Sequence, residues 1–442
     1  MLRSTLPLSA LRQQASDRIG VPLDVLHPGA MLPAVARPTT DAEIWRYSRV
    51  AKVPMDGLTI ARPGAPTAVT HLPIGEVAAT VHLVDGFVRS VAISPMAVAA
   101  GLVISTVSHS AGSGDVGTDT DTTNSLPSIT VDGGDVFVDL ALATAAEAVF
   151  ISVPRGAAVP GVVQILNEIA TDRAFVAVQL VVVVGENASL SVVERVAGSG
   201  AGSLFSPITQ LEVDAGATLR FVSIQELGDQ CFQVAHQQCV TGRDATLRAM
   251  SVALGGSYAR VRTDAVVNEQ GGFNELLAVY FGAGHQMHDF RTLQHHVGPR
   301  TTSELLFKGA VEDHSQSVYS GLIRIGENAR HAVANQANRN LLLSPTASVE
   351  SVPNLEIENN EVKCSHASAV GPVDEEHRYY LELRGVPPEE AERLIVTGFF
   401  ADVLDRSPVP GVADALTGVF AAKFGEAEAA RNREFSAAGV TR

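Results

Sequence analysis

From Asp135 to about Gly371, short runs of Val, Ile, Leu and Phe recur, separated by Gly, Asn and Asp. Val149–Val153, Val176–Val184, Leu190–Glu194, Leu219–Gln225, Leu247–Ala253, Leu276–Phe281, Ser317–Ile325 and Ala347–Ser351 have the length and β-branched content of strands. Several turns between them share a form: GENASL at 185–190, DAGATL at 214–219, GRDATL at 242–247 and GENARH at 326–331. A turn that recurs with a small residue at its end is a weak internal repeat, one strand pair per turn of a coil. No long helical period interrupts this stretch, which predicts a solenoid of strands. The fold class is therefore mainly β, a right-handed parallel β-helix with helical N-terminal and C-terminal segments. A jelly-roll sandwich is the alternative that periodicity leaves open.

The flanks follow different patterns. Leu8 to Ile19 is amphipathic, with Leu8, Leu11, Ala15 and Ile19 near one face. Asp41 is placed to cap a second helix through Glu43, Trp45 and Tyr47. Residues 51–125 are rich in Gly, Pro and Ala, with strand-like pieces at Ala79–Val84 and Phe87–Ile93 and a small, acidic stretch at Ala111–Ser125. That stretch is expected to be a solvated loop. Asp115, Asp119 and Asp121 lack the glycine and glutamate positions of a calcium loop. After Gly371 the pattern turns helical. Asp374 is a good N-cap, Gly385 a good stop, and Pro387-Pro388 opens a second helix with Glu389 and Glu390 in its first turn. Its expected apolar stripe is Ala391, Leu394, Ile395, Gly398 and Phe399, and a third helix is expected over Val412–Phe435. The domains are then 1–125, mixed helix and strand with the acidic loop; 126–372, the β-helix core; and 373–442, helical.

Composition narrows the classes. Hydrophobic residues make up 46% of the 442-residue chain, which marks it as globular, and the net charge is −16. Only four lysines occur, so the clustered positive charge that nucleic acid requires is absent. Cys231, Cys239 and Cys364 form no CxxC pair, so neither a disulfide framework nor a zinc finger is expected and a reducing cytoplasm is the simplest setting. The most apolar run, Val176–Val184, is far shorter than the ~20 residues of a membrane-spanning helix.

Candidate chemistry concentrates in residues 335–371. Leu355, Ile357, Val362, Cys364 and His366 alternate with polar residues, and Asn359-Asn360 interrupts them, which predicts two short strands around a turn. Cys364 and His366 are two apart, so on a strand they share a face. A thiolate and an imidazole on one face are candidate metal ligands, although two ligands do not close a tetrahedral site. The phrases NRNLLLS, PNLEIENNEVKCSHASAVG and DEEHRYYLELRG resemble the C-terminal signature of the SufD proteins of iron–sulfur cluster assembly. Weaker likeness runs back through FKGAVEDHSQSVYSG and QLVVVVGENASLSVVE to VFISVPRGAAVP, and RPTTDAEIWRYS is similar to the family's N-terminal segment.

The resemblance implies a parallel β-helix and a non-enzymatic scaffold role in a SufB–SufC–SufD complex, supporting iron acquisition and nascent cluster assembly. It implies that the β-helix pairs with a SufB-like subunit, with a homodimer as the alternative pairing in isolation. It also implies that the C-terminal helices receive a SufC-like ATPase, with Leu394, Phe399 and Phe400 as the candidate contacts. Phe400→Asp is then expected to weaken ATPase binding and leave the β-helix folded. His366 matches the family's motif histidine at the subunit interface and Cys364 the adjacent motif cysteine. The expected cargo there is iron or a nascent iron–sulfur cluster, and no cofactor of the chain's own is expected.

The remaining motifs add little. No GxxxxGK[ST] occurs, so ATP hydrolysis would come from a partner, and no nucleophile elbow or triad is present. His285, His288, Asp289, His295 and His296 are a second metal candidate, but on a strand His285 and His288 face opposite ways. Cys231 and Cys239 are expected to be buried structural thiols. The competing functions are a SufB-like paralogue, a stand-alone metal-binding protein using the 285–296 histidines, and a β-helix enzyme acting on carbohydrate. Aromatics at 5% of the chain, with one Trp, count against that enzyme.

Overall fold

A computed structural model describes residues 5–65, 71–108, 125–127 and 134–437. Nearly all of the acidic stretch, residues 111–124 with Asp115, Asp119 and Asp121, lies outside the described residues. The chain forms a parallel β-solenoid of about eight turns. Alternate strands join two ten-stranded sheets, so each coil contributes one strand to each. Their pairing is parallel from Glu147–Val153 onward, which excludes the jelly roll.

The repeated turns set the corners. The amide N–H of Ala188, Ala217, Ala245 and Ala329 donates to the carbonyl three residues back, and each alanine is at most 2% exposed. The residue before the alanine is left-handed at Asn187 (φ 55°), Gly216 (67°) and Asp244 (53°). Gly, Asn and Asp tolerate that backbone conformation best, which accounts for the residue types at this position.

Between corners, inward-facing residues stack in register. One column runs Leu190, Leu219, Leu247, Asn274, Ser303, Ala334, Cys364. Its neighbour runs Val192, Phe221, Ala249, Leu276, Leu305, Gln336, His366. Both columns begin apolar, where each buried Val, Leu or Phe side chain contributes roughly 1.5–3 kcal/mol. Both turn polar toward the C-terminal end.

The outer faces are covered by the flanks. Helix α1 (Leu8–Ile19) and the N-terminal segment pack with helix α3 (Val136–Thr144) on one sheet, where the Trp45 and Phe137 rings are 5.3 Å apart and Arg260 lies over Trp45. A short helix α2 (Pro95–Ala99) packs near the start of the solenoid. Helices α4 (Glu375–Glu382), α5 (Pro388–Leu404) and α6 (Val412–Ala437) follow the last coil. The outer face of the second sheet, including Met250, Val252, Leu277 and Val279, is covered by Val396, Phe400 and Val403 of α5 and by Leu416 and Phe420 of α6. Arg406 ties the end of α5 to that sheet through Glu275 (2.6 Å) and Glu304 (3.0 Å).

Five expectations change. The helix expected after Asp41 is only a 3-10 turn, Glu43–Trp45, because Arg46 is already extended (φ −57°, ψ 139°) and Tyr47 follows at φ 64°. Helix α3 stands where strands were expected; VFVDLALAT is apolar except for Asp139 and Thr144 and so shows no helical period. Strands Val77–Val84, Phe87–Ile93 and Val103–Ser108 precede residue 126 yet belong to the two solenoid sheets. The stripe of α5 is rotated: Ala391, Val396, Phe400, Val403 and Leu404 are buried, whereas Leu394 is exposed. Asn359-Asn360 joins strands of different sheets, so it turns a corner of the coil rather than closing a hairpin. Cys231 and Cys239 lie buried in the core.

Candidate functional site

The last coil consists of strands Ser348–Ile357 and Lys363–Pro372, each the terminal strand of its sheet. Each pairs with the preceding coil on one side, and among the described residues no strand pairs with its other edge. Among the described residues nothing is stacked upon the inward face of this coil. Leu355 and Ile357 sit in register on Ile323 and Ile325, which are fully buried, yet are themselves 37% and 45% exposed. Val370, in register on buried Asn340, is 44% exposed. Covering these three side chains would yield on the order of 1 kcal/mol each.

Cys364 and His366 lie on this open face, two residues apart. Cys364 is half-buried beside Ile323, Ile325, Ala329, Ala332 and Ala334, and burial pushes its thiol up. A thiol with a raised pKa becomes a thiolate at neutral pH only when a metal displaces its proton. His366 is exposed, so its imidazole is accessible to a metal. Thiolate with imidazole suits iron and iron–sulfur chemistry, and the open face leaves room for ligands from outside the chain.

Beneath them the bore is polar. Tyr280 donates to Asn340 Oδ1 (2.5 Å), Asn340 Nδ2 to Asn338 Oδ1 (2.8 Å), and Ser351 Oγ to the same Asn338 Oδ1 (2.9 Å). Gln336, Asn338 and Asn340 are all at most 3% exposed. The sequence reading missed this layer. Its signal was Gln336, Asn338 and Asn340 alternating along NQANRN, a strand whose inward positions are amides.

The histidines of 285–296 do not converge. His288 is buried with Nε2 at 3.2 Å from the Phe281 carbonyl, and burial lowers its pKa to about 4. His296 lies between Thr301 and Ser303, each at 2.7 Å, and is likewise lowered to about 4. Asp289 faces the opposite way and is held ionised by Arg260, Arg291 and Tyr258. His285 is exposed at a corner, stacked on His314. Among the described residues no three His, Cys, Asp or Glu side chains are grouped to hold a metal.

The tail carries a second feature. Leu394, Phe400, Leu404, Phe420 and Phe424 line a groove of about 220 Å³ between α5 and α6. Leu394 is 46% exposed and Phe399 half-buried, but Phe400 is 1% exposed. Phe400 is therefore a packing residue of the helical layer, and its expected role as an exposed contact is corrected.

A parallel β-solenoid with an open terminal coil and a Cys-x-His pair on that coil defines a solenoid protein with an unfinished end. The family model described as "SUF system FeS cluster assembly, SufBD core domain" matches residues 167–399. The chain belongs to the SufBD family of iron–sulfur cluster assembly proteins. An iron–sulfur cluster assembly SufBD family protein of Mycobacterium leprae is 36% identical over 212 residues, 46% of this chain and 54% of that protein. SufD of Bacillus subtilis is 30% identical over 223 residues, 50% of this chain and 51% of that protein. SufD of Escherichia coli is 29% identical over 195 residues, 44% of this chain and 46% of that protein. The chain spans about half the length of these relatives. No helix among the described residues is long and apolar enough to cross a membrane.

Proposed function

We propose that the chain is a non-enzymatic, cytoplasmic scaffold subunit of a SufB–SufC–SufD type complex. The open coil pairs with a SufB-like subunit, and the α5–α6 layer receives a SufC-like ATPase through Leu394 and Phe399. His366 and Cys364 hold iron or a nascent cluster at the junction, where the partner supplies the remaining ligands. The observation that carries this reading is the terminal coil itself: two strand edges unpaired among the described residues, and core columns that end in exposed Leu355, Ile357 and Val370 on the coil that carries His366. A partner strand laid on either edge would complete backbone hydrogen bonds and cover that apolar surface in one step. Iron or cluster bound there is cargo, and transient binding suits an incomplete ligand pair better than a closed site does.

The test is His366→Ala in the complex reconstituted with SufB-like and SufC-like partners. Assembly and melting temperature are expected to stay near normal while iron and sulfide content falls. Full cluster loading in the variant would place His366 with the packing residues. Cys364→Ser is expected to be milder, because the thiol is half-buried against alanine and isoleucine side chains.

A further inference from the structure

Gln336 is 2% exposed on the strand Val333–Leu342, in register with His366 on the strand above. Its side chain reaches across the bore to the facing sheet. A Cβ on Gly321 would come within 2.3 Å of both Gln336 Nε2 and the Tyr319 hydroxyl, so glycine is what makes room for the amide. Gly321 is in register with Pro353. Gln336 and Gly321 thus floor the open end, with His366 and Pro353 in the layer above.

The amide is poorly served in this place. The Tyr319 hydroxyl, engaged by Thr292 at 3.0 Å, also hydrogen-bonds the Gln336 side chain, and among the described residues no atom completes a hydrogen bond to Gln336 Oε1. The same column holds Leu276 and Leu305 in the two coils below, so an apolar side chain fits this bore. A buried amide oxygen without a partner lowers stability, and such a group calls for a reason.

We propose that Gln336 is the positioning residue for His366, an inference that rests on the ligand role of His366 argued above. A metal-bound imidazole holds its orientation by donating its second ring N–H to an acceptor behind it. Gln336 Oε1 is the acceptor that the register supplies. As iron binds, the exposed His366 ring turns its inward N–H onto Oε1, which fixes the tautomer and leaves the other nitrogen for the metal. Iron binding thereby satisfies the amide.

The experiment titrates ferrous iron, anaerobically, into the complex reconstituted with SufB-like and SufC-like partners, and records melting temperature without iron. Gln336→Leu is expected to melt at or above the wild-type temperature and to bind iron about ten- to a hundredfold more weakly. Gln336→Glu keeps an acceptor and is expected to restore affinity to within a few-fold. If His366→Ala loses iron while Gln336→Leu keeps wild-type affinity, Gln336 plays no positioning role and the ligand reading stands. If His366→Ala keeps its iron, both fall. If Gln336→Leu lowers the melting temperature and Gln336→Glu does not recover iron at a native melting temperature, the amide is structural and the inference is overturned.

Discussion

Phe400 and Leu394, both on α5, separate folding of the tail from docking upon it. Phe400 is packed against Phe420 with ring centroids 5.2 Å apart, within the apolar layer that Val396, Val403 and Leu416 share with the sheet. Cutting a buried Phe to Ala removes the ring and leaves a cavity, at a cost of ~3–5 kcal/mol. Against a total stability of about 5–15 kcal/mol this is a large fraction. Leu394 is 46% exposed, so its truncation forfeits roughly 1 kcal/mol of burial. Phe400→Ala is therefore expected to melt the α5–α6 layer early, seen as loss of helical circular dichroism at a lower temperature. Leu394→Asp is expected to melt only slightly below wild type, far less than Phe400→Ala, and to weaken binding of the SufC-like ATPase about tenfold or more, equivalent to ~1.4 kcal/mol. The assay pairs thermal melts with a binding titration on the same preparations. Equal melting temperatures for Phe400→Ala and wild type would refute the packing argument, and unchanged ATPase affinity in Leu394→Asp would refute the docking surface.

Two further outcomes follow from the sequence and the buried groups. Lacking a phosphate-binding loop, the chain purified alone is expected to show no ATP turnover above background in a phosphate-release assay, and turnover that survives removal of contaminants would count against the scaffold reading. His236, His288 and His296 are each lowered by burial from 6.5 to about 4, so folding favours their neutral forms. Their contribution is complete above pH 6.5 and is lost as pH falls from there toward 4, by ~3 kcal/mol for each group. Melts between pH 7 and 4.5 should fall steeply, and replacing His288 with Gln should flatten the slope; a flat wild-type profile would contradict burial of the three rings.

Much of the solenoid was legible because its signal is local. Corner alanines and left-handed Asn, Gly and Asp recur from coil to coil, and Val-rich runs between them mark strands. What was not legible lay where burial is decided by another element. VFVDLALAT is buried along most of its surface between a sheet and α1, with only Val136 and Asp139 partly exposed, so no period distinguishes its helix from a strand. Ile395 and Phe399 look as apolar as Val396 and Phe400, and only the angle at which α5 lies on the sheet selects the second pair. Alternation correctly placed Cys364 and His366 on one face, but which face points into the bore depends on register with Ala334 and Gln336.

The same register explains why the end of the solenoid is built differently from its middle. A column of Val192, Phe221, Ala249, Leu276 and Leu305 is what an uninterrupted core would continue. In the last two coils, where the stack runs out, the column changes to Gln336 and then His366. The neighbouring column changes earlier, to Asn274 and Ser303, before Ala334 and then Cys364. Apolar residues there would stabilise the isolated chain less with each coil toward solvent, and a fully apolar end would invite edge-to-edge aggregation. Polar groups that hydrogen-bond among themselves, as Tyr280, Asn338, Asn340 and Ser351 do, keep the end ordered while leaving it wet enough to receive a charged cargo. Leu355, Ile357 and Val370 remain around that polar centre as the apolar rim on which a partner can close. In these two columns the polar residues gather toward this end, and a departure from an otherwise regular repeat is where function is expected.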